Sequence, residues 1–96
     1  MGAQMFTTYA KGGSAKDAFW HAVNDALAEY GNDGYTGTMA EKAEFVMIDL
    51  PPGETPDERA RYLLINNDPR ISDKWGPAGC IDCGDGTFLF FGSASS

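Results

Sequence analysis

Residues 14–31 read SAKDAFWHAVNDALAEYG, and this stretch predicts an amphipathic helix around which the fold is organised. Ser14 can cap the first turn, and Gly31 can end the helix in the left-handed conformation. The apolar residues recur at helical spacing on one face: Phe19, Val23, Ala26, Leu27 and Tyr30. A helix of this length is marginal alone, so the rest of the chain has to cover that face.

Four further segments predict strands. Residues 4–10 are rich in aromatic and β-branched types, and residues 44–50, EFVMIDL, carry apolar residues on both faces, which predicts a strand in the centre of a sheet. Residues 79–83 and 87–91 predict two short strands, because Gly84-Asp85-Gly86 between them is typical of a hairpin turn. We expect the residues from Gly92 onward to form a small-residue tail.

A second helix is predicted to begin at Thr55, where the N-cap threonine is followed by Pro56 at the first helical position and Glu58 at the third. It should run to about residue 66, and its inward positions are Ala60, Leu63 and Leu64. The order of elements predicts one α+β domain over residues 1–96. We expect a small, mainly antiparallel sheet of three to five strands with the two helices packed on one face.

The charge distribution is uneven. The chain has a net charge of −7, and residues 17–58 carry ten acidic side chains against Lys42 alone. Such a field repels phosphate backbones and attracts basic surfaces, so direct nucleic-acid binding is disfavoured. Two interpretations remain open: a solvated acidic face that keeps the chain soluble, or a docking face for a basic partner.

The candidate chemical groups are few. Cys80 and Cys83 form a CxxC, but in a strand the two side chains point to opposite faces, and a zinc site needs four ligands. His21 is the single histidine, flanked on the helix by Asp17 and Asp25, with no nucleophile evident beside it. We therefore expect no metal, no cofactor and no enzymatic activity, with a zinc site shared between subunits as the minor alternative.

The glycines at positions 31, 34 and 37 do not have the spacing of a phosphate-binding loop, and no lysine follows them in place. An alternative function nevertheless uses this loop: a small enzyme or ligand-binding protein with a site over Gly31–Gly37, lined by Tyr35, Thr36 and His21. Trp20, off the centre of the apolar helix face, and Trp75, in a Gly/Pro loop, could be interface anchors or could fold back over the core.

Three segments resemble a group of small uncharacterised proteins from phages and prokaryotes. They are GYTGTMAEK at residues 34–42, WGPAG at 75–79 and FLFFGSASS at 88–96. The resemblance implies a phage or mobile-element setting and no activity. Small acidic proteins of that setting resemble anti-CRISPR inhibitors, which often occupy a basic nucleic-acid-binding surface of a host defence complex.

The first hypothesis is therefore a non-enzymatic, anti-CRISPR-like inhibitor that docks on a basic host protein or nucleoprotein complex. The partner-binding residues expected are Asp17, Asp25, Glu29, Asp33, Tyr35, Glu41 and Trp75. The chain shows no secretory signal and no apolar run of about 18 residues, so we expect the host cytoplasm and no membrane. A homodimer, joined through an open sheet edge or the Trp75 loop, is a further possibility.

Overall fold

The computed structural model describes residues 3–30, 42, 44–72 and 76–95. Two helices and four strands follow one another in the order β1, α1, β2, α2, β3, β4. Their bounds are Ala3–Lys11 (β1), Ala15–Tyr30 (α1), Phe45–Met47 (β2), Pro56–Ile65 (α2), Ala78–Gly84 (β3) and Thr87–Ser95 (β4). Within the described residues, no helix is long and apolar enough to cross a membrane.

The strands form one mixed sheet in the order β1-β4-β3-β2. β4 pairs antiparallel with both β1 and β3, whereas β2 pairs parallel with β3. The predicted α+β class is confirmed, and the sheet is mainly antiparallel with one parallel edge. The parallel pair arises because α2 carries the chain from β2 back to the beginning of β3, as a crossover connection must.

The predicted hairpin between β3 and β4 is confirmed. Asp85 and Gly86 both have positive φ, 55° and 75°, as a two-residue type I′ turn requires. An Asp82 carboxylate oxygen accepts a hydrogen bond from the Gly84 amide at 2.9 Å and fixes the turn. The tail expected after Gly92 is wrong, because β4 continues to Ser95. The long partner strand β1 supplies hydrogen bonds over this whole length.

The prediction of a central strand at residues 44–50 is also wrong. β2 spans three residues and lies at the edge of the sheet, paired with β3 alone among the described strands. Apolar residues point to both faces of β2 because a helix lies over each face of the sheet, although Met47 at the end of the strand is 51% exposed. Phe45 packs into the cluster under α1, whereas Val46 and Ile48 pack into the cluster under α2.

The two helices lie on opposite faces of the sheet, so the expectation that both pack on one face is wrong. Side chains alternate along β3 and β4, and each alternate set joins a different core cluster. The crossover through α1 runs from β1 to the far edge, and the crossover through α2 runs back from there to β3. Because such crossovers are almost always right-handed, reversing the direction across the sheet moves the helix to the other face.

The second helix begins as the sequence predicts. Thr55 has extended backbone, its hydroxyl oxygen accepts a hydrogen bond from the Glu58 amide at 3.2 Å, and Pro56 occupies the first turn. The Thr55 hydroxyl also donates a hydrogen bond to the Glu58 carboxylate at 3.0 Å. The inward positions expected for this helix are all buried: Ala60, Leu63 and Leu64.

Candidate functional site

Two hydrogen bonds fix the N-terminal half of α1. The Ser14 hydroxyl accepts a hydrogen bond from the Asp17 amide at 3.2 Å, as the capping pattern predicts. His21 Nδ1 lies 2.7 Å from the Lys11 carbonyl oxygen. A carbonyl oxygen can only accept, so Nδ1 carries the hydrogen and donates it. The histidine thus ties the middle of α1 to the end of β1, which gives it a positioning role.

An acidic row runs along the exposed side of α1. Asp17, His21 and Asp25 are spaced four residues apart, which places them on one side of the helix, and all three are exposed. Asn24 and Ala28, also exposed, border this row. None of the ion pairs found among the described residues involves α1. Both carboxylates of the row are therefore available to a cationic group from outside.

An apolar depression lies next to the acidic row. It has a volume of about 230 Å³, and its lining residues are Lys16, Phe19, Trp20, Glu44 and Phe45; we call it the Trp20 pocket. Trp20 is 46% exposed although it is one of the largest side chains in the chain. The wall is aromatic, and the ionisable groups at its rim are one carboxylate and one ammonium, both on exposed residues.

Packed aromatic rings support the floor of the Trp20 pocket. The buried Phe19 ring meets Trp20 edge-on, with 5.2 Å between ring centroids, and lies 5.0 Å from the Phe45 ring. Behind it, Phe90 of β4 contacts Phe19 and Phe45 at 5.7 and 5.8 Å. Three of these four ring pairs are edge-to-face, a preferred geometry of aromatic pairs, so the exposed tryptophan lies on a packed aromatic base. The alternative in which a loop tryptophan folds back over the core concerns Trp75, which lies outside the described residues.

Arginines contact three of the carboxylates on the α2 side of the molecule. Arg61 contacts Asp57 at 3.1 Å and Arg59 approaches Glu54 at 4.0 Å, on or beside α2. In the turn after α2, Arg70 binds Asp68 through two hydrogen bonds of 2.9 Å. The Arg70 hydrogen bonds lower the pKa of Asp68. Of the acidic block, Glu54 and Asp57 on the α2 side thus have an arginine partner, whereas no ion pair of the described residues includes Asp17 or Asp25.

The one lysine within the acidic block is buried. Lys42 is 4% exposed, and its Nζ donates a hydrogen bond to the Gly76 carbonyl at 2.9 Å. The ammonium also lies 5.9 Å from the centroid of the Phe6 ring, within the range of a cation–π contact. This side chain ties the segment before β2 to the segment before β3. The sequence analysis counted Lys42 only as a charge, because no local pattern signals its burial.

The two cysteines have no activated character. Cys80 packs into the cluster under α1 and Cys83 into the cluster under α2, which confirms that the CxxC side chains point to opposite faces. Burial raises the pKa of the Cys80 thiol to about 12 and also raises that of Cys83. Among the described residues, no group of three or more histidine, cysteine, aspartate or glutamate side chains could hold a metal ion.

The structure places only part of the predicted partner-binding set. Asp17 and Asp25 lie together on α1, whereas Asp33, Tyr35, Glu41 and Trp75 lie outside the described residues. Glu29 belongs to α1, but its side chain is outside the description. The alternative ligand site over Gly31–Gly37 also falls there and stays a prediction. Trp20 is the residue that the structure adds, and its off-centre position on the helix was the available signal.

Comparison with known proteins gives no relative. No protein-family model, curated protein or solved structure matches this chain. The resemblance to phage proteins and to anti-CRISPR inhibitors therefore stays a prediction.

Proposed function

We propose that this chain is a non-enzymatic binding protein that docks the exposed side of α1 on a basic surface of its partner. The observation that carries the proposal is the juxtaposition of the acidic row with the Trp20 pocket. Arginines pair with Glu54 and Asp57 at α2, whereas Asp17 and Asp25 have no ion pair among the described residues. A surface of this kind attracts a basic partner over long range and holds it at short range.

The Trp20 pocket specifies how the partner is held. An arginine side chain fits its chemistry, because a planar guanidinium stacks on an indole face and pairs with a carboxylate. Trp20 supplies the face and Glu44 the carboxylate at the rim. The exposed Lys16 can extend its ammonium into solvent while its aliphatic stem remains against the pocket. Tryptophan and arginine are the residue types that most often dominate binding energy at interfaces.

The partner class follows from these features. Surfaces rich in arginine, with a positive field, are those that bind nucleic acid. We therefore propose an inhibitor of the anti-CRISPR type, which occupies the DNA-binding surface of an RNA-guided host defence complex. Phage or mobile-element origin belongs to the same proposal. The net charge of −7 supports competition with nucleic acid for such a surface.

The test measures displacement of labelled target DNA from a panel of purified RNA-guided effector complexes by fluorescence polarisation. The test variant combines Asp25→Lys with Ala28→Lys on α1. The matched control combines Asp49→Lys with Ser72→Lys near Arg70, so both variants have a net charge of −4. All four positions are exposed. We expect roughly tenfold weaker displacement for the α1 variant, since tenfold corresponds to about 1.4 kcal/mol.

The pocket is tested separately with Trp20→Ala. We expect a loss of roughly thirtyfold, because truncating an anchor residue costs about 2 kcal/mol or more. Tyr62→Ala on α2 is the matched aromatic control, since Tyr62 is also exposed. The proposal is wrong if the wild-type protein displaces DNA from none of the complexes. It is equally wrong if each variant and its control weaken displacement alike.

A further inference from the structure

Among the described strands, β1 pairs with β4 alone, so its outer edge carries a row of backbone hydrogen-bonding groups that no described strand uses. The Gly12 amide donates to the Gly86 carbonyl at 3.0 Å, in the same register that pairs β1 with β4. Because bonded and non-bonded pairs alternate in an antiparallel ladder, the even-numbered residues of β1 bond to β4. The N–H and C=O groups of the odd-numbered residues, among them Met5, Thr7 and Tyr9, therefore point away from the sheet.

Within residues 3–30, 42, 44–72 and 76–95, β1 has none of the features that normally prevent strand pairing. β1 has nine residues, contains no proline and shows no register shift against β4. Lys11 is its single charged residue and lies at its end. Natural edge strands are usually short, charged, bulged or covered, and the opposite edge strand β2, with three residues, follows that rule. The exception at β1 indicates an edge that is used.

An apolar strip accompanies the open backbone. Met5, Thr7 and Tyr9 lie on the face of the sheet that α2 covers, beside Leu89 and Phe91 of β4. Those two β4 residues are fully buried, whereas Met5 and Tyr9 are 55% and 56% exposed. α2 thus covers the middle of the sheet and leaves the β1 border of this face open to solvent.

We propose that a second copy of this chain pairs with β1 in antiparallel fashion about a two-fold axis at Thr7, which joins the two sheets into one of eight strands. In this register Thr7 faces Thr7 of the partner subunit, and Met5 faces Tyr9 of the partner subunit. About ten backbone hydrogen bonds form, because only the outward-pointing odd-numbered residues meet. A two-fold axis requires this kind of self-complementary pairing.

The side chains and the charge of β1 both indicate that the strand that pairs with it belongs to a second copy of this chain. The apolar strip of one subunit lies against that of the other, and methionine sulfur and a tyrosine ring make favourable contacts. β1 itself carries Lys11 and no carboxylate in a chain whose net charge is −7, so in this register no carboxylate of one β1 strand lies opposite a carboxylate of the other. The pairing lies in the plane of the sheet and does not use the Trp20 pocket, so it stands or falls independently of the proposed function.

Oligomeric state is the direct test. We expect light scattering after size exclusion, and sedimentation velocity, to give twice the chain mass of 10.3 kDa. Thr7→Pro removes an outward amide and leaves the β4 ladder intact, so it should give a folded monomer, whereas Thr7→Val should remain dimeric. A wild-type protein that stays monomeric up to millimolar concentration overturns the proposal.

Two charged variants at Thr7 test the register, and they still give a result if the proline variant does not fold. Thr7→Lys places two lysines directly opposite each other, and Thr7→Glu places two glutamates there. Each variant alone should dimerise more weakly than the wild type, by up to about tenfold, because like charges opposite one another destabilise a strand pair. An equimolar mixture should recover the dimer mass. If both single variants dimerise as the wild type does, or the mixture fails to recover, β1 is not the interface.

Discussion

Gly12 holds the junction between β1 and α1, and replacing it with alanine is the sharpest test of how the structure positions α1. A Cβ at this position would lie 2.5 Å from the Ala18 amide nitrogen and 3.0 Å from the Ala18 Cα. The first distance is about 0.9 Å shorter than an ordinary van der Waals contact. The obstacle is helix backbone, fixed by the hydrogen bond from the Ala18 amide to the Ser14 carbonyl at 3.0 Å.

The magnitude follows from what has to move. Relief of the clash requires α1 to shift away from the strand, and overpacking of this kind costs roughly 1–3 kcal/mol. Each kcal/mol lowers the melting temperature of a domain of this size by about 4–8 °C. We therefore expect Gly12→Ala to melt roughly 5–20 °C below the wild type, measured by differential scanning calorimetry and by urea unfolding.

Gly13→Ala is the matched control. A Cβ there would meet only an Asp17 carboxylate oxygen, at 3.4 Å, at the end of a side chain that can rotate. Removing a glycine from the unfolded chain without strain stabilises a protein by about 0.4–1 kcal/mol, so this variant should equal or exceed the wild type. Two variants with the same melting temperature would refute the reasoning, because both changes add one methyl group at neighbouring positions.

Two further outcomes follow from single groups. The unfolded Cys80 thiol ionises near pH 9 whereas the folded thiol holds its proton to about pH 12, so the free energy of unfolding should fall between these values. The free energy of unfolding should fall by at most roughly 4 kcal/mol, and by nothing below pH 9. The Cys80→Ala variant should not show this fall. If Cys80→Ala and the wild type have the same pH profile of urea midpoints, the fall does not come from Cys80. Thr55→Ala should cost about 1 kcal/mol through loss of the α2 cap, while Thr55→Ser should retain most of it, and equal melting temperatures would argue against the cap.

Local signals determined most of the elements of this fold. The caps at Ser14 and Thr55, the period of α1 and the Asp85-Gly86 turn act within a few residues, so the sequence states them directly. The strand predicted over residues 4–10, observed as Ala3–Lys11, and the buried face of α2 depend on local patterns in the same way. Hydrophobic period and turn chemistry depend on neighbours along the chain, and tertiary packing here reinforces them.

Long-range pairing decided what the sequence could not. Apolar residues on both faces give β2 the same sequence pattern whether it lies in the centre of the sheet or at its edge. The edge position of β2 therefore depends on where α1 and α2 cross the sheet. The length of β4 depends on β1, at the other end of the chain.

The candidate site divides in the same way. Asp17 and Asp25 share a side of α1 by helical period alone, which the sequence determined. The arginine partners of carboxylates on the α2 side, the burial of Lys42 and the Trp20 pocket came from the tertiary structure. The physical reason is that charge compensation and pocket shape depend on distances between segments far apart in sequence, and no local preference encodes those distances.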